Sequence, residues 1–221
     1  MSSIDSMYDN FLNISTGIEE EDVSSNNERK LFFNYEPTSY HFLEKLFTLI
    51  PFEETDHLID FGCGSGRVLF MAAQKQCKKV TGYEINDERY KMLVKNVEGY
   101  QNKFDKGTII STFLENAQRT KIDETANKFF FFNPFELKIY INVINNILAS
   151  VKNNQRNIDL YLYRPHESTI KYIDGMKVFN KTVYIGHTLM DEDGSMIEMP
   201  QFVIYSNYEA KHSFDKHSIT I

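Results

Sequence analysis

Cysteine, long apolar runs and positive charge are all in short supply in this sequence. Two cysteines in 221 residues provide neither a disulfide framework nor a cysteine-rich metal cluster, so the chain suits a reducing compartment. No apolar run approaches the roughly 18 residues that cross a membrane. Residues 1–10 lack the basic and apolar regions of a signal peptide. The composition therefore predicts a cytoplasmic protein without membrane contact.

The charge balance excludes a broad nucleic-acid groove. Lysine and arginine number 24 against 31 acidic residues, which gives a net charge of −7. A groove that tracks a phosphate backbone needs clustered cations, so DNA is not expected as a partner. Hydrophobic residues make up 42% of the chain, and its length is enough for one α/β domain with a full core. Neither property indicates an oligomeric state.

Glycine recurs at every second position in one segment that carries most of the functional signal. An apolar run ends in Asp60 and is followed by Gly62, Gly64 and Gly66, and a second apolar run ends 18 residues later in Glu84. A glycine turn lets a ligand approach bare backbone, and the helix after it offers N-terminal amides to polar groups. An acid at the tip of the next strand can bind ribose hydroxyls. The pattern predicts a nucleoside-cofactor site on a βαβ unit.

The glycine spacing indicates the type of cofactor. A dinucleotide-binding loop has the spacing G-x-G-x-x-G/A with a small residue at its end, whereas Arg67 occupies that position here. The spacing present, D-x-G-x-G-x-G, resembles motif I of class I S-adenosylmethionine-dependent methyltransferases. The resemblance implies that the loop surrounds the methionine part of S-adenosylmethionine, with Cys63 as a small residue that fits there. It also implies that Glu84 binds the ribose and that Ile85 packs on the adenine.

Alternating strands and helices predict the fold. Strands are expected at 58–61, 80–84, 108–113, 129–132 and 158–163, with helices at 41–50, 67–75, 137–151 and 167–173 and from residue 87 onward. Two further strands, 177–188 and 198–206, are joined by the turn residues 191–194. This layout resembles the Rossmann-like class I methyltransferase fold. That fold has a seven-stranded, mostly parallel sheet with a C-terminal antiparallel β-hairpin and helices on both faces.

The ends of the chain are more polar than its centre. Residues 1–34 carry the acidic run 19–22, and they are expected to form a loosely helical arm or a lid. Residues 35–208 are expected to form the methyltransferase domain, and residues 209–221 a tail. No second domain or internal repeat is indicated.

A second motif follows the phenylalanine run of the fourth predicted strand. Asn133, Pro134, Phe135 and Glu136 resemble the N-P-P-[FY] motif IV of methyltransferases that act on amino or amide nitrogens, and the form N-P-F resembles bacterial class I members. The resemblance implies that the Asn133 side chain and the neighbouring carbonyl accept the hydrogens of the target nitrogen. Phe135 stands at the second proline position and Glu136 at the aromatic position. The alternative is a purely structural Asn-Pro turn.

Three more positions complete the candidate cofactor site. After the third strand, Asn116 is the expected adenine contact, with Glu115 as the alternative. The segment that contains Tyr35 and Thr38 resembles the Tyr-x-Pro-Thr segments that line the methionine end of the cofactor in class I methyltransferases. Thr38 could equally be the cap of the following helix. The spacing of histidine, cysteine and acidic residues indicates no metal site.

The sequence thus predicts an S-adenosylmethionine-dependent methyltransferase, with three alternatives for its action. The acceptor is a small molecule, which the short chain slightly favours, or a nitrogen on a nucleobase or protein amide. A third alternative is a protein that binds S-adenosylmethionine without catalysis.

Overall fold

Seven strands form one sheet with helices on both of its faces. The computed structural model describes residues 3–17, 36–104, 107–132, 135–190 and 196–209. The helices are α1 (Ser3–Leu12), α2 (Tyr40–Leu49), α3 (Arg67–Gln74), α4 (Asp87–Lys103), α5 (Leu137–Asn153) and α6 (Glu167–Asp174). The strands are β1 (His57–Phe61), β2 (Lys79–Glu84), β3 (Ile109–Leu114), β4 (Lys128–Phe132), β5 (Asp159–Tyr163), β6 (Asn180–Met190) and β7 (Met196–Ser206).

The order of the strands confirms the predicted fold class. The sheet runs β3-β2-β1-β4-β5-β7-β6. Strands β1 to β5 pair in parallel, while β7 is inserted between β5 and β6 and runs antiparallel to both. Because β1 lies between β2 and β4, the chain reverses its direction of winding there. Ligands of such sheets bind beyond the carboxyl ends of the strands, near that reversal.

The two faces of the sheet bury separate cores. Helices α2, α3 and α4 pack on one face, and α5 and α6 pack on the other. Burial on both faces of the sheet explains the uninterrupted phenylalanine run of β4. Phe130 belongs to the first core, whereas Phe129 and Phe131 belong to the second, and all three are fully buried. A central parallel strand needs apolar side chains on both faces for this reason.

The N-terminal segment begins with a helix that packs on the body of the domain. Helix α1 lies against α2 and α4, with Leu12 fully buried, while the domain limits expected from the sequence stay a prediction. The expected turn at 191–194 and residues 210–221 of the expected tail lie outside the described residues. Among the residues that the structure does describe, no helix is long and apolar enough to cross a membrane.

Candidate active site

The glycine loop adopts a backbone that requires glycine. Gly62, Gly64 and Gly66 have φ angles of 77°, 53° and 95°, in the left-handed region that side chains disfavour. The amides of Gly62 and Cys63 donate to the carbonyl of Tyr83 at 2.8 and 3.1 Å. The loop is therefore attached to the end of β2 as soon as it leaves β1.

Glu84 holds the loop and the end of its own strand together. Its Oε2 accepts a hydrogen bond from the amide of Gly64 at 2.8 Å, and its Oε1 accepts from the amides of Ile85 and Asn86 at 2.9 and 2.7 Å. The residue is only 5% exposed. A carboxylate has about four acceptor positions, so three bonds leave capacity for about one more donor. The geometry thus suits one ribose hydroxyl better than two.

Asp60 is a buried carboxyl group that lacks a cation. It is 3% exposed, and no described residue donates a hydrogen bond to its side chain. Burial, and then the charge of Glu84, hold its pKa well above the usual range. A cation near Asp60 and Glu84 would relieve both the burial cost and the repulsion between the two groups. These two acidic side chains therefore suit a positively charged nucleoside such as S-adenosylmethionine.

Cys63 packs rather than reacts. Burial, followed by the charges of Asp60 and Glu84, raises the pKa of its thiol well above the usual value. A Cβ atom on Gly82 would lie 2.7 Å from the Cys63 sulfur, which shows how closely β2 approaches the loop. The thiol is neutral and enclosed, in agreement with the prediction of a small packing residue.

The predicted adenine contacts lie at the ends of β2 and β3. Ile85 is 42% exposed, so its side chain is available to a planar ligand. The Asn116 side-chain oxygen accepts from the amide of Gln118 at 3.0 Å and caps the 3-10 turn Ala117–Arg119. The amide of Glu115 donates to the carbonyl of Glu84 at 2.8 Å, which brings Glu115 beside the predicted ribose acid. The choice between Asn116 and Glu115 stays open on this geometry.

Thr38 lies next to the glycine loop but does not cap the helix. The cap of α2 is Ser39, whose hydroxyl accepts from the amide of Phe42 at 3.4 Å. Thr38 is 4% exposed, and its carbonyl accepts from Arg67 at 3.0 Å. Of the two alternatives drawn from the sequence, the helix cap is therefore wrong. Tyr35, the other residue predicted in this segment, lies outside the described residues.

The predicted catalytic turn is described only in part. Asn133 and Pro134 lie outside the described residues. Phe135 is 4% exposed and meets the ring of Tyr140 edge-on at 5.5 Å. Its ring is therefore enclosed in the core around α5, and its expected place in the catalytic site stays a prediction.

A buried polar network behind the glycine loop was not found from the sequence. Arg67, directly after Gly66, is 3% exposed and donates from Nε to the Thr16 hydroxyl at 2.9 Å. Thr16 in turn donates to the carboxylate of Asp9 at 2.8 Å, and the Tyr40 hydroxyl donates to the same oxygen. The network joins the N-terminal segment to the start of α3. Its signal in the sequence is a charged residue at the start of α3, directly before the apolar run of that helix.

Asn96 makes a second connection between the N-terminal segment and the loop. Its side chain accepts from the amide of Ser15 at 2.8 Å and donates to the carbonyls of Ser15 and Ser65 at 2.7 and 2.9 Å. Ser65 belongs to the glycine loop, and Asn96 is 3% exposed. Residues 3–17 therefore supply buried hydrogen-bond partners to two groups that support the loop. Whether residues 1–34 act as a lid stays a prediction.

Thr16→Val is expected to lower the free energy of unfolding by about 2–4 kcal/mol, because it leaves the buried Nε donor of Arg67 without its acceptor and removes one of the donors to Asp9 at unchanged volume. Urea unfolding followed by circular dichroism measures the loss. Thr48→Val, on the exposed surface of α2, is the matched control and should cost less than about 0.5 kcal/mol. Equal stability of the two variants would show that the network adds nothing to the fold.

Comparison with known proteins agrees with this geometry. The model of the family described as Conserved hypothetical protein 95 matches residues 28–188, which is most of the chain. The chain belongs to this family. The matched residues include the glycine loop, Glu84 and the predicted catalytic turn. With the motifs and the sheet order, the match places the protein in the class I S-adenosylmethionine-dependent methyltransferase superfamily.

Solved structures share the fold at low sequence identity. A S-adenosylmethionine-dependent methyltransferase from Methanosarcina mazei superimposes with a TM-score of 0.56 at 16% identity, over 72% of this chain and 96% of that one. A precorrin-6y C5,15-methyltransferase from Geobacter metallireducens gives a TM-score of 0.52 at 11% identity, over 86% and 96%.

Sequence similarity to a curated protein is limited to a short region. A protein-lysine N-methyltransferase from Saccharolobus islandicus is 35% identical over 65 residues, which are 29% of this chain. The match spans only 40% of the length of that relative.

Proposed function

We propose that the protein is an S-adenosylmethionine-dependent methyltransferase that acts on a nitrogen of its acceptor. The observation that carries the proposal is the attachment of the three-glycine loop to the buried carboxylate of Glu84. This arrangement offers bare backbone, one free acceptor position for a ribose hydroxyl, and two carboxylates for a cation. When bound, S-adenosylmethionine supplies an electrophilic methyl group on a sulfonium.

The residues around the glycine loop would bind and orient different parts of the cofactor. The loop from Gly62 to Gly66 encloses the methionine part of the cofactor, and Glu84 orients its ribose. Asp60, buried beside Glu84, is stabilised in its ionised form by the positive charge of the cofactor. Ile85 covers one face of the adenine. Because direct methyl transfer depends mainly on alignment of the two reacting groups, the chain needs no strong general base.

A nitrogen acceptor is supported by the catalytic turn and by one relative. A planar amino or amide nitrogen is a poor nucleophile until its hydrogens are held and its lone pair points at the methyl group. The Asn133 side-chain oxygen and the neighbouring carbonyl can accept those hydrogens. The relative from Saccharolobus islandicus is named a protein-lysine N-methyltransferase. Whether the nitrogen belongs to a small molecule, a nucleobase or a protein is a question for the acceptor screen.

Calorimetric titration tests the cofactor first. S-adenosylmethionine and S-adenosylhomocysteine are expected to bind with micromolar affinity and NAD not at all, because Arg67 replaces the small residue that a dinucleotide loop requires. A folded sample that binds neither adenosyl compound would contradict the proposal. Binding followed by no methyl transfer to amino acids, nucleosides, RNA or lysine peptides would instead support a non-catalytic binding protein.

Asn133→Ala is expected to lower kcat by about 100-fold and to change S-adenosylmethionine affinity less than about threefold, because the lost contact is to the acceptor and not to the cofactor. Transfer of a radioactive methyl group measures the first effect, and calorimetry measures the second. Asn145→Ala, exposed on α5, is the matched control. Equal loss of turnover and cofactor affinity would move Asn133 to the cofactor side.

A further inference from the structure

Arg164 has a strained backbone at the acceptor side of the proposed site. It follows the last residue of β5 and has a φ angle of 47°, although it is not glycine and it precedes Pro165. The residue before a proline normally adopts an extended conformation, so this geometry costs free energy. Strain of this kind persists where the surrounding structure imposes it, and it is frequent at binding sites.

The Arg164 side chain rests on two aromatic rings at the end of the sheet. The carbon at the centre of its guanidinium lies 5.9 Å from the centroid of the Phe132 ring and 5.5 Å from that of Tyr163. Phe132 and Tyr163 are paired as the last residues of β4 and β5, with ring centroids 4.7 Å apart. Asn133 follows Phe132 directly in the chain. The guanidinium therefore lies beside the last residues of β4 and β5.

A short strap, residues 36–38, crosses this region. At one end Glu36 forms an ion pair with Arg164 at 2.5 Å, and at the other end the Thr38 carbonyl accepts from Arg67, directly after the glycine loop. Strand β4 lies between β1 and β5, so the strap crosses the end of β4. Three extended residues reach about 10 Å, which matches two strand spacings of about 4.8 Å. The strap and Arg164 thus lie together at the carboxyl ends of β4 and β5, the side of such sheets on which ligands bind.

Acidic and basic side chains lie at different places along the carboxyl ends of the strands. Glu84, next to the buried carboxyl group of Asp60, places negative charge where the cationic cofactor is proposed to bind, whereas Arg164 places positive charge at the carboxyl end of β5. Its side chain is 47% exposed, and among the described residues its ion-pair partner is Glu36, which is 59% exposed. An ion pair this exposed stabilises a fold little. A guanidinium has five N–H donors in a fixed fork, and Glu36 takes one of them.

We propose that Arg164 binds an oxyanion of the methyl acceptor, a carboxylate or a phosphate, and that Glu36 competes for the same guanidinium until the acceptor arrives. The inference rests on the proposed methyltransferase function and adds the chemical class of its acceptor. The aromatic rings hold the guanidinium in place, so little conformational entropy is lost when the oxyanion binds. The acceptor then carries its target nitrogen and its anionic group on the same molecule.

Calorimetry on protein saturated with S-adenosylhomocysteine tests the inference with two pairs of probes. L-glutamine and adenosine 5′-monophosphate carry a nitrogen and an oxyanion, and glutamine amide and adenosine are their counterparts without the anion. At least one anionic probe is expected to bind about tenfold or more tightly than its counterpart. The pair that shows the difference distinguishes a carboxylate from a phosphate. Equal binding within both pairs, or no binding of either anionic probe, would overturn the inference.

Two variants with opposite expected effects separate acceptor binding from a structural role. Arg164→Met should remove the preference for the anionic probe, whereas Glu36→Gln should strengthen binding of that probe several-fold by removing the competing carboxylate. Lys152→Met removes one exposed positive charge at the opposite end of α5 and should change nothing. If both variants altered only thermal stability, the ion pair would be structural and the inference wrong. Failure of the wild type to bind S-adenosylhomocysteine would instead contradict the proposed function.

Discussion

Glu84→Ala is expected to lower the free energy of unfolding by about 2–4 kcal/mol and to weaken S-adenosylmethionine binding by about 3 kcal/mol, roughly 150-fold. The amides of Gly64, Ile85 and Asn86 all lose their acceptor. Each unpaired buried amide costs about 1–3 kcal/mol, although water can reach some of them and Asp60 is relieved of a neighbouring charge. The cofactor loses both its ribose contact and the geometry of its loop. Urea unfolding and calorimetry measure the two effects.

Two other variants sharpen this test. Glu88→Ala removes the same charge from α4, where the side chain is 72% exposed, and should leave stability and binding unchanged. Glu84→Gln keeps one oxygen for Ile85 and Asn86 but turns a donor toward the amide of Gly64. It is therefore expected to retain more stability than the alanine variant while still losing cofactor affinity. Wild-type binding by Glu84→Ala would show that Glu84 neither binds the ribose nor supports the loop.

Gly66→Ala is expected to lower the free energy of unfolding by about 3 kcal/mol and to abolish detectable cofactor binding. A Cβ atom there would lie 2.6 Å from a methyl carbon of Leu93 and 2.7 Å from a ring carbon of Phe70. Both side chains are fully buried, so neither can move aside without disturbing the core. The φ angle of 95° adds a backbone cost, and the loop must shift from the position that Glu84 and Tyr83 hold.

Gly107→Ala is the control that separates the steric cost of the added Cβ atom from the cost of the left-handed backbone. Gly107 has a φ angle of 67°, and a Cβ atom there would meet nothing within 4 Å. This variant should therefore show only the backbone cost of about 1 kcal/mol, with unchanged cofactor affinity. If Gly66→Ala were no more damaging than Gly107→Ala, tight packing of the loop against α3 and α4 would not be needed for the site.

Much of the fold and of the cofactor site could be predicted because their signals are local. The strand, the glycine loop, the next helix and the acid at the next strand end follow one another within residues 57–84, and the structure brings Gly64 and Glu84 into contact. The seven-stranded, mostly parallel sheet and its antiparallel hairpin also agreed with the prediction. The number of hydrogen bonds that Glu84 already accepts could not be predicted, since it depends on the path of the backbone.

Other details could not be predicted because burial is a property of the whole molecule. Phe135 was expected in the catalytic site from its place in the motif, and in the structure its ring is enclosed against Tyr140. Thr38 looked like a possible helix cap, yet Ser39 has the cap and Thr38 meets Arg67. A motif gives the order of residues along the chain, whereas the direction of each side chain depends on the elements that pack around it.

By itself, the sequence determined the class of the fold, the glycine loop, the acid at the end of the second strand and the type of cofactor. The loop, the acid and the cofactor type depend on spacing within one βαβ unit, where neighbours in the chain are neighbours in space, and the fold class depends on the local periods of successive elements. Only the tertiary structure paired Arg67 with Thr16, 51 residues away, and Arg164 with Glu36, 128 residues away. Such contacts produce no periodic pattern in the sequence, because they form only when distant segments of the chain meet at the same end of the sheet. The support of the loop and the ion pair at the end of β5 were therefore decided by the tertiary structure alone.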